Sequence, residues 1–282
     1  MKKIISILLS IFFFATSVLA KNIEILPTST LKGPQGVVIN AVGELTKNSS
    51  LQFVAKQTSG CAEAVDLFNN SKEPIAILWS DTMIKHTETT KQNCIIDFEK
   101  AKPIAVTFSA VDICVAKGFE LKTGAELTLG NNKFNPQMSQ LAHMNGNNKN
   151  IKFKNVTYEG SGPVVTALIN KEINVGITAT ANAAPAIRAG SIDCFYSTGS
   201  TKYGQKPLSE FAGKNALSEF RLGMMLFVKN MSAEQIADVE KLLSNGFADA
   251  MDKQDLISSK VSITKEDLER FIAIAKTNLQ YQ

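Results

Sequence analysis

The chain has 282 residues, 44% of them hydrophobic and 20% charged, with a formal net charge of +4 and four cysteines. That many apolar side chains can build one large domain or two of ordinary size, which excludes a disordered chain. The charge is mild and no basic block is interleaved with aromatics, so nucleic acid is not an expected partner.

Taken in order, residues 1–20 (MKKIISILLSIFFFATSVLA) combine Lys2 and Lys3 with an apolar run and end in Val18-Leu19-Ala20, the form of a secretory signal peptide. The competing assignment, an uncleaved membrane anchor, wants a longer apolar run. The exported chain is expected to start near Lys21, and no later segment has the apolar length of a membrane span. Residues 22–26 (NIEIL) predict a first strand, and Pro34 predicts the first position of a helix with Val37, Val38, Ala41, Val42 and Leu45 on one side. The polar loop between them holds Thr28, Ser29 and Thr30. Residues 51–55 predict a second strand. Thr58-Ser59-Gly60 then leads into a helix with Cys61, Ala64, Val65 and Phe68 on one face, Ser59 or Thr58 being its N-cap. Residues 74–79 (PIAILW) form the continuous apolar run of a strand buried on both faces, with Ser80-Asp81-Thr82 just past its carboxyl end. Strand, polar turn and helix in succession describe a parallel α/β sheet.

Residues 102–108 and 111–116 predict two more strands, and 127–129 a short one before the polar turn Gly130-Asn131-Asn132-Lys133-Phe134-Asn135-Pro136. A helix is expected from Pro136 through Met144, then a turn over 146–150. The stretch 156–195 reads as two βα units end to end. A strand (156–158) meets the turn Glu159-Gly160-Ser161-Gly162-Pro163 and a helix with Val164, Ala167 and Leu168 on one stripe. A second strand (173–177) then meets the polar loop 178–182 and a helix closed by Arg188-Ala189-Gly190. A loop is expected over 197–207 and a strand over 222–228. Ser232 with Gln235 makes the capping-box pattern of a helix reaching Met251, and Thr264 with Asp267 repeats it more weakly for a last helix to about Leu279.

Enzymatic motifs are missing. The two histidines, His86 and His143, stand in no metal-ligand spacing and are expected at the surface. There is no GxSxG elbow, P-loop or Rossmann GxGxxG, although a triad assembled in space would leave no sequence trace. No CxxC or Cys/His cluster occurs, so Cys61, Cys94, Cys114 and Cys194 favour disulfides, with three possible pairings, over metal; four buried free thiols are the alternative. No cofactor is expected.

Tyr158-Glu159-Gly160-Ser161-Gly162-Pro163, then Ala167-Leu168, Ile173-Asn174-Val175 and Ile187-Arg188-Ala189-Gly190, resemble the Bug-type solute receptors, the extracytoplasmic binding proteins of tripartite tricarboxylate transporters. The family pattern is Tyr-Lys-Gly-x-Gly-Pro, a helix, a Val-Asp-Val strand, and a helix ending Ile-Arg-Ala-Gly. The spacing agrees over about thirty positions, far more than a lone glycine motif offers. Fainter likenesses lie outside it. Gly33-Pro34-Gln35-Gly36-Val37-Val38 is similar to the first-loop pattern Gly-Pro-x-Asp-Val-Val, but Gly36 replaces the aspartate. Ser59-Gly60, Asp97-Phe98 with Pro103-Ile104, residues 112–116 and residues 222–247 look like further family segments, while the region 119–150 is shorter than usual.

The resemblance implies a two-lobed α/β fold of the type II periplasmic-binding-protein kind with a ligand cleft between the lobes. Lobe one would be residues 21–108 plus 221–282, and lobe two residues 109–220. Within that division the implied disulfides are Cys61–Cys94 and Cys114–Cys194. It further implies a periplasmic, monomeric, non-enzymatic receptor that captures a small carboxylate and hands it to a membrane permease. A secreted enzyme on a similar fold and a ligand-binding sensor or adaptor are the alternatives.

Loops beyond strand ends that open helices bind anions through backbone N–H groups and the helix dipole, without needing lysine or arginine. The candidate ligand-binding residues are therefore Thr28, Ser29, Thr30, Ser59, Gly60, Ser80, Asp81 and Thr82 of lobe one. Those of lobe two are Asn131, Asn132, Gly160, Ser161, Gly162, Thr178, Thr180 and Asn182. Each of these residue types is also common in ordinary caps and turns. Asp81 would repel a carboxylate but suits an ammonium or hydroxyl on the ligand; a solvated loop aspartate is the alternative. With Gly36 in place of aspartate, it points to a ligand other than the family's common dicarboxylates. Trp79 and Phe134 fit a core role better than an apolar wall of the site.

Overall fold

The computed structural model describes residues 21–120, 122, 124–133, 150–199, 201–212, 214 and 218–277. The expected signal peptide, the helix 136–144 with His143, and Phe134 lie outside them. Two six-stranded sheets organise the chain, one ordered β12-β4-β11-β3-β1-β2 and the other β10-β9-β5-β8-β6-β7.

The first sheet holds β1 (Lys21–Pro27), β2 (Leu51–Ala55), β3 (Ile75–Ser80), β4 (Lys102–Ser109), β11 (Leu222–Lys229) and β12 (Ile257–Val261). β1 runs parallel to β2 and β3, as the succession of strand, turn and helix predicts, but β11 pairs antiparallel with β3 and β4, and β12 antiparallel with β4. The sheet is mixed because β4 and β11 carry the chain out of the lobe and back. Strand alternation sorts its side chains. Ala76 and Leu78 of β3 and Met224, Leu226 and Val228 of β11 face one core, shared with α1 (Pro34–Thr46), α7 (Ala233–Ser244) and α8 (Phe247–Lys253). Ile75, Ile77 and Trp79, with Met225 and Phe227, face the other. That core takes Phe68 of α2 (Cys61–Asn70), Met83 of α3 (Met83–Thr90) and Phe271 of α9 (Lys265–Thr277). β3 is buried along its whole length, which is why its sequence reads as an unbroken apolar run. Trp79 is fully buried core, its indole N–H donating to the Cys94 carbonyl at 2.8 Å.

The second sheet holds β5 (Val111–Ala116), β6 (Glu126–Asn132), β7 (Lys152–Tyr158), β8 (Val175–Ala179), β9 (Ile192–Ser197) and β10 (Lys206–Pro207), with α4 (Ser161–Ile169), α5 (Thr180–Arg188) and α6 (Leu208–Ala212). Val164 and Leu168 of α4 and Ala183 and Ala186 of α5 pack on one face of it. Disulfides join Cys61 of α2 to Cys94 and Cys114 to Cys194. The second links directly opposed residues of β5 and β9. Cys61, His86 and Cys94 lie close together, but both thiols are in the disulfide; His86 is half-buried rather than at the surface, and burial lowers its pKa.

Several expectations shift. The helix expected from Ser232 to Met251 is two, broken at Asn245-Gly246, with Gly246 starting α8 so that Phe247 and Met251 reach the core. The Ser232/Gln235 capping box forms. β6 continues through Gly130, Asn131 and Asn132, where a turn is expected, because each pairs in register with β7. No loop separates β8 from α5; the polar residues 178–182 end a strand and begin a helix directly. β12 and α3 carry too little apolar signal to stand out in the sequence: both are short and largely polar.

Candidate functional site between the lobes

The carboxyl ends of parallel strands from both sheets meet. Thr30 of the β1–α1 loop lies against Gly160, where an added Cβ would stand 2.7 Å from the Thr30 methyl group. A Cβ on Gly162 would strike the Lys32 carbonyl. Ala181 at the start of α5 packs into the first lobe's core with Leu31 and Val38. A small cavity of about 10 Å³ remains, room for about one water, lined by Ser29, Pro34, Gln35, Ser80, Thr82, Met83, Asn132 and Leu222. No lysine or arginine is among its lining residues.

Four helices start around this junction. α1 and α3 contribute Pro34, Gln35 and Met83 to the cavity wall, α4 begins at the Gly160–Gly162 contact, and α5 begins at Thr180 beside Ala181. None of these four carries an acidic residue in its first turn. Every other described helix does: Glu63, Glu210, Glu234, Asp249, and Glu266 with Asp267. Acidic side chains near a helix N-terminus offset its partial positive charge. α1 and α4 have none, while Asp81 stands just before the Thr82 N-cap of α3 and Asp112 accepts from Thr180 at the start of α5.

The structure divides the sequence-predicted residues into three groups. Ser29, Ser80, Thr82 and Asn132 line the cavity together, and Thr30, Gly160 and Gly162 form the contact between lobes. A second group is held by its own lobe. The Thr28 hydroxyl donates to the Leu78 carbonyl and accepts from Gln35 Nε2 at 2.8 Å. The Ser161 hydroxyl accepts from the Ala179 N–H, Thr178 donates to the Ser161 carbonyl, and Thr180 donates to Asp112 at 2.9 Å. Asn131 is buried at the end of β6. Asn182 stands outside the three groups: it is not among the cavity's lining residues, and its buried Oδ1 has no hydrogen-bond partner. The third group points elsewhere. Ser59 is exposed, and its N–H and hydroxyl both donate to Glu63 at 2.6 Å, so with Gly60 it opens a helix whose N-terminus already has its own carboxylate.

Asp81 is not a solvated loop residue. It is 1% exposed, and its Oδ2 accepts from the Gly223 N–H at 2.9 Å. Burial pushes its pKa up to about 7, against the lowering effect of that hydrogen bond and of Ser80. Gly36 also has a structural reason: a Cβ there would collide with the Leu31 backbone, which closes over the first turn of α1. An aspartate at this position would displace the loop carrying Thr30.

Two residues escaped sequence reasoning. Gln35 is 2% exposed and clamps the first loop, donating to Thr28 and accepting from the Ser29 N–H at 3.0 Å; its place in the Gly-Pro-Gln motif was the available signal. Asp112 is fully buried under the start of α5, where burial raises its pKa to about 6 while Ser197, Thr180 and Gln205 hydrogen-bond to it. One flank of the junction is tied by Asp255, which accepts from Tyr203 OH at 2.6 Å, Arg188 at 2.8 Å and Lys202 at 2.9 Å. Asp255 follows α8 of the first lobe, and its three donors belong to the second.

Two α/β sheets joined by crossovers, with helix N-termini facing each other across the join, define the type II periplasmic-binding-protein fold. Among solved structures, the chain is similar to "R. palustris Rpa4515 with adipate" at 12% identity and a TM-score of 0.74, over 92% of this chain and 95% of that one. It is also similar to the periplasmic binding protein BugD (13%, TM-score 0.70, 92% and 97%) and to "MatC (Rpa3494) from Rhodopseudomonas palustris with bound malate" (14%, TM-score 0.65, 90% and 99%). The fold is thus that of the Bug/TctC-type receptors. No family model matches the chain, and no curated protein matches it in sequence.

Proposed function

We propose that the protein is an exported solute receptor that closes its lobes, divided near residues 109 and 221, around a small carboxylate and delivers it to a membrane permease. The observation that carries this reading is the pattern of helix starts. The four that meet between the lobes lack first-turn acids, whereas the other described helices have them. An anion supplied from outside would take the role that a carboxylate side chain plays elsewhere. Fold neighbours holding malate and adipate support the ligand class. The hydroxyls and amides of Ser29, Ser80, Thr82 and Asn132 would orient the solute. Residues 1–20 would direct export, and no helix among the described residues is long and apolar enough to cross a membrane. The fold's use in binding proteins supports a receptor rather than an enzyme.

A thermal-shift panel of mono- and dicarboxylates, hydroxy acids and amino acids tests the reading, because a ligand that binds only the native state raises Tm. Stabilisation by a carboxylate, without its turnover, is the expected result. Turnover of the hit, or stabilisation by cations alone, would overturn it.

A further inference from the structure

On the far side of the crossover from the cleft lies a much larger groove of about 1080 Å³, lined by parts of both lobes. Leu222 borders the cleft, whereas the adjacent Phe220 and Arg221 border the groove. On its floor, Phe108 of β4 and Ile274 of α9 present apolar surface to it, and Met225, Phe220 and Phe271 lie buried behind them. Ile274 is 37% exposed, so this apolar surface reaches solvent. Two guanidinium groups, Arg221 and Arg270, stand at the groove and are exposed. Among the described residues neither forms an ion pair.

The groove's acidic side chains are already matched. Asp267 is paired with Lys260 at 2.6 Å and caps α9 through Thr264, while Glu219 faces Lys214 at 3.8 Å. The uncompensated charge of the groove is therefore positive. Arg221 is also positioned: its Nε would lie 2.9 Å from a Cβ on Gly199, so the guanidinium lies close over a residue with no side chain to push it away. A planar cation at the lip of an apolar trough fits a molecule with an anionic head and a hydrocarbon body. The volume suits an organic ligand larger than the solute of the cleft.

We propose that this groove is a second binding site, for an amphipathic organic anion whose apolar body covers Phe108 and Ile274 and whose carboxylate meets Arg221 and Arg270. The proposal does not depend on the function assigned to the cleft. Decanoate is the probe, followed by calorimetric titration of the purified protein, with decanol and decyltrimethylammonium as neutral and cationic controls. Decanoate is expected to bind more tightly than either control, and its affinity to fall with added salt, because the two arginines are exposed. The double variant R221A/R270A is expected to weaken decanoate about tenfold or more, equivalent to at least about 1.4 kcal/mol. I274D, which adds a negative charge at the exposed edge of the floor, is expected to do the same. S29A, which removes a hydroxyl from the cleft and leaves the contact between the lobes intact, should leave decanoate unchanged. Absence of decanoate binding overturns the proposal, as does binding that is insensitive to R221A/R270A or is lost in S29A. None of these results bears on whether a small carboxylate binds in the cleft.

Discussion

The cleft and the rear groove lie on opposite sides of one crossover, yet they are made from different parts of the chain. The cleft takes its walls from residues just beyond strand ends: Ser29 after β1, Ser80 and Thr82 at the end of β3, Asn132 at the end of β6. The groove takes its walls from strand faces and the face of a C-terminal helix, as Met225, Phe271 and Ile274 illustrate. One is a cavity of about 10 Å³ with no cationic side chain among its lining residues; the other is a groove of about 1080 Å³ flanked by two arginines. The difference separates two ways of holding an anion. In the cleft, fixed backbone dipoles act at short range with little conformational entropy to lose, which suits a small solute enclosed by two lobes. On the groove, long side chains offer charge at the rim while the floor excludes water, which suits a larger amphipathic ligand held from one side.

The largest expected effect breaks the cleft alone. In G162L the new side chain meets the Lys32 carbonyl, so the lobes are kept from closing. Affinity for the carboxylate found by thermal shift should fall about a hundredfold or more. Tm without ligand should stay close to that of the parent, since the contact lies between lobes and not within a core. Unchanged affinity would remove the Gly160–Gly162 turn from the site.

A smaller effect is expected at the flank. Burial raises the Asp255 pKa, but hydrogen bonds from Tyr203, Lys202 and Arg188 more than reverse this, leaving it below the ordinary carboxylate value. Asp255 has a positive φ of 59°, a conformation that asparagine tolerates well, so D255N removes the charge without straining the turn. Because Arg188 and Lys202 are half exposed, at 51% and 53%, solvent screens much of the attraction. D255N should weaken the cleft ligand only by a few-fold, up to about tenfold, and should increase the radius of gyration measured by X-ray scattering. A variant with unaltered affinity and radius would show that this network does not hold the lobes together.

How much of this was legible in the sequence follows the same division. β3, α1 and the two βα units of 156–195 announce themselves because each uses one periodicity over several residues, and the junction residues follow strand ends in chain order. Thr28, Thr178 and Thr180 suit an anion site by residue type, but type alone does not reveal that their hydroxyls are bonded within their own lobe. Ser59-Gly60 looked equivalent to Gly160-Ser161; the difference is Glu63, four residues on, which takes the Ser59 donors for itself. The groove was invisible because Phe108, Arg221 and Ile274 come from three distant segments that no local pattern joins. Asp255 was hidden for the same reason: its partners lie more than fifty residues away.

Asp81 supplies the smallest expected effect and the finest test of the wall between the two regions. Its carboxylate touches the Gly223 N–H, and a Cβ on Gly223 would meet both Asp81 and the Phe271 and Phe108 rings of the groove floor. Ser80 and Thr82 on either side of it line the cleft. The ordinary value of 3.8 rises to about 7 in the fold because burial penalises the charged form. The folded chain therefore retains a proton that the unfolded chain loses first. The stabilisation is complete below the ordinary value and is lost as pH rises through about 7. Asp112, raised to about 6, acts in the same direction, so the comparison has to be made between variants. In D81N this proton linkage disappears while the side chain can still accept from Gly223. The Tm of D81N relative to the parent should therefore rise by a few degrees from about pH 5 to about pH 8. A difference in Tm that stays constant over that range would mean that Asp81 titrates normally, and that water reaches it from the cleft or the groove.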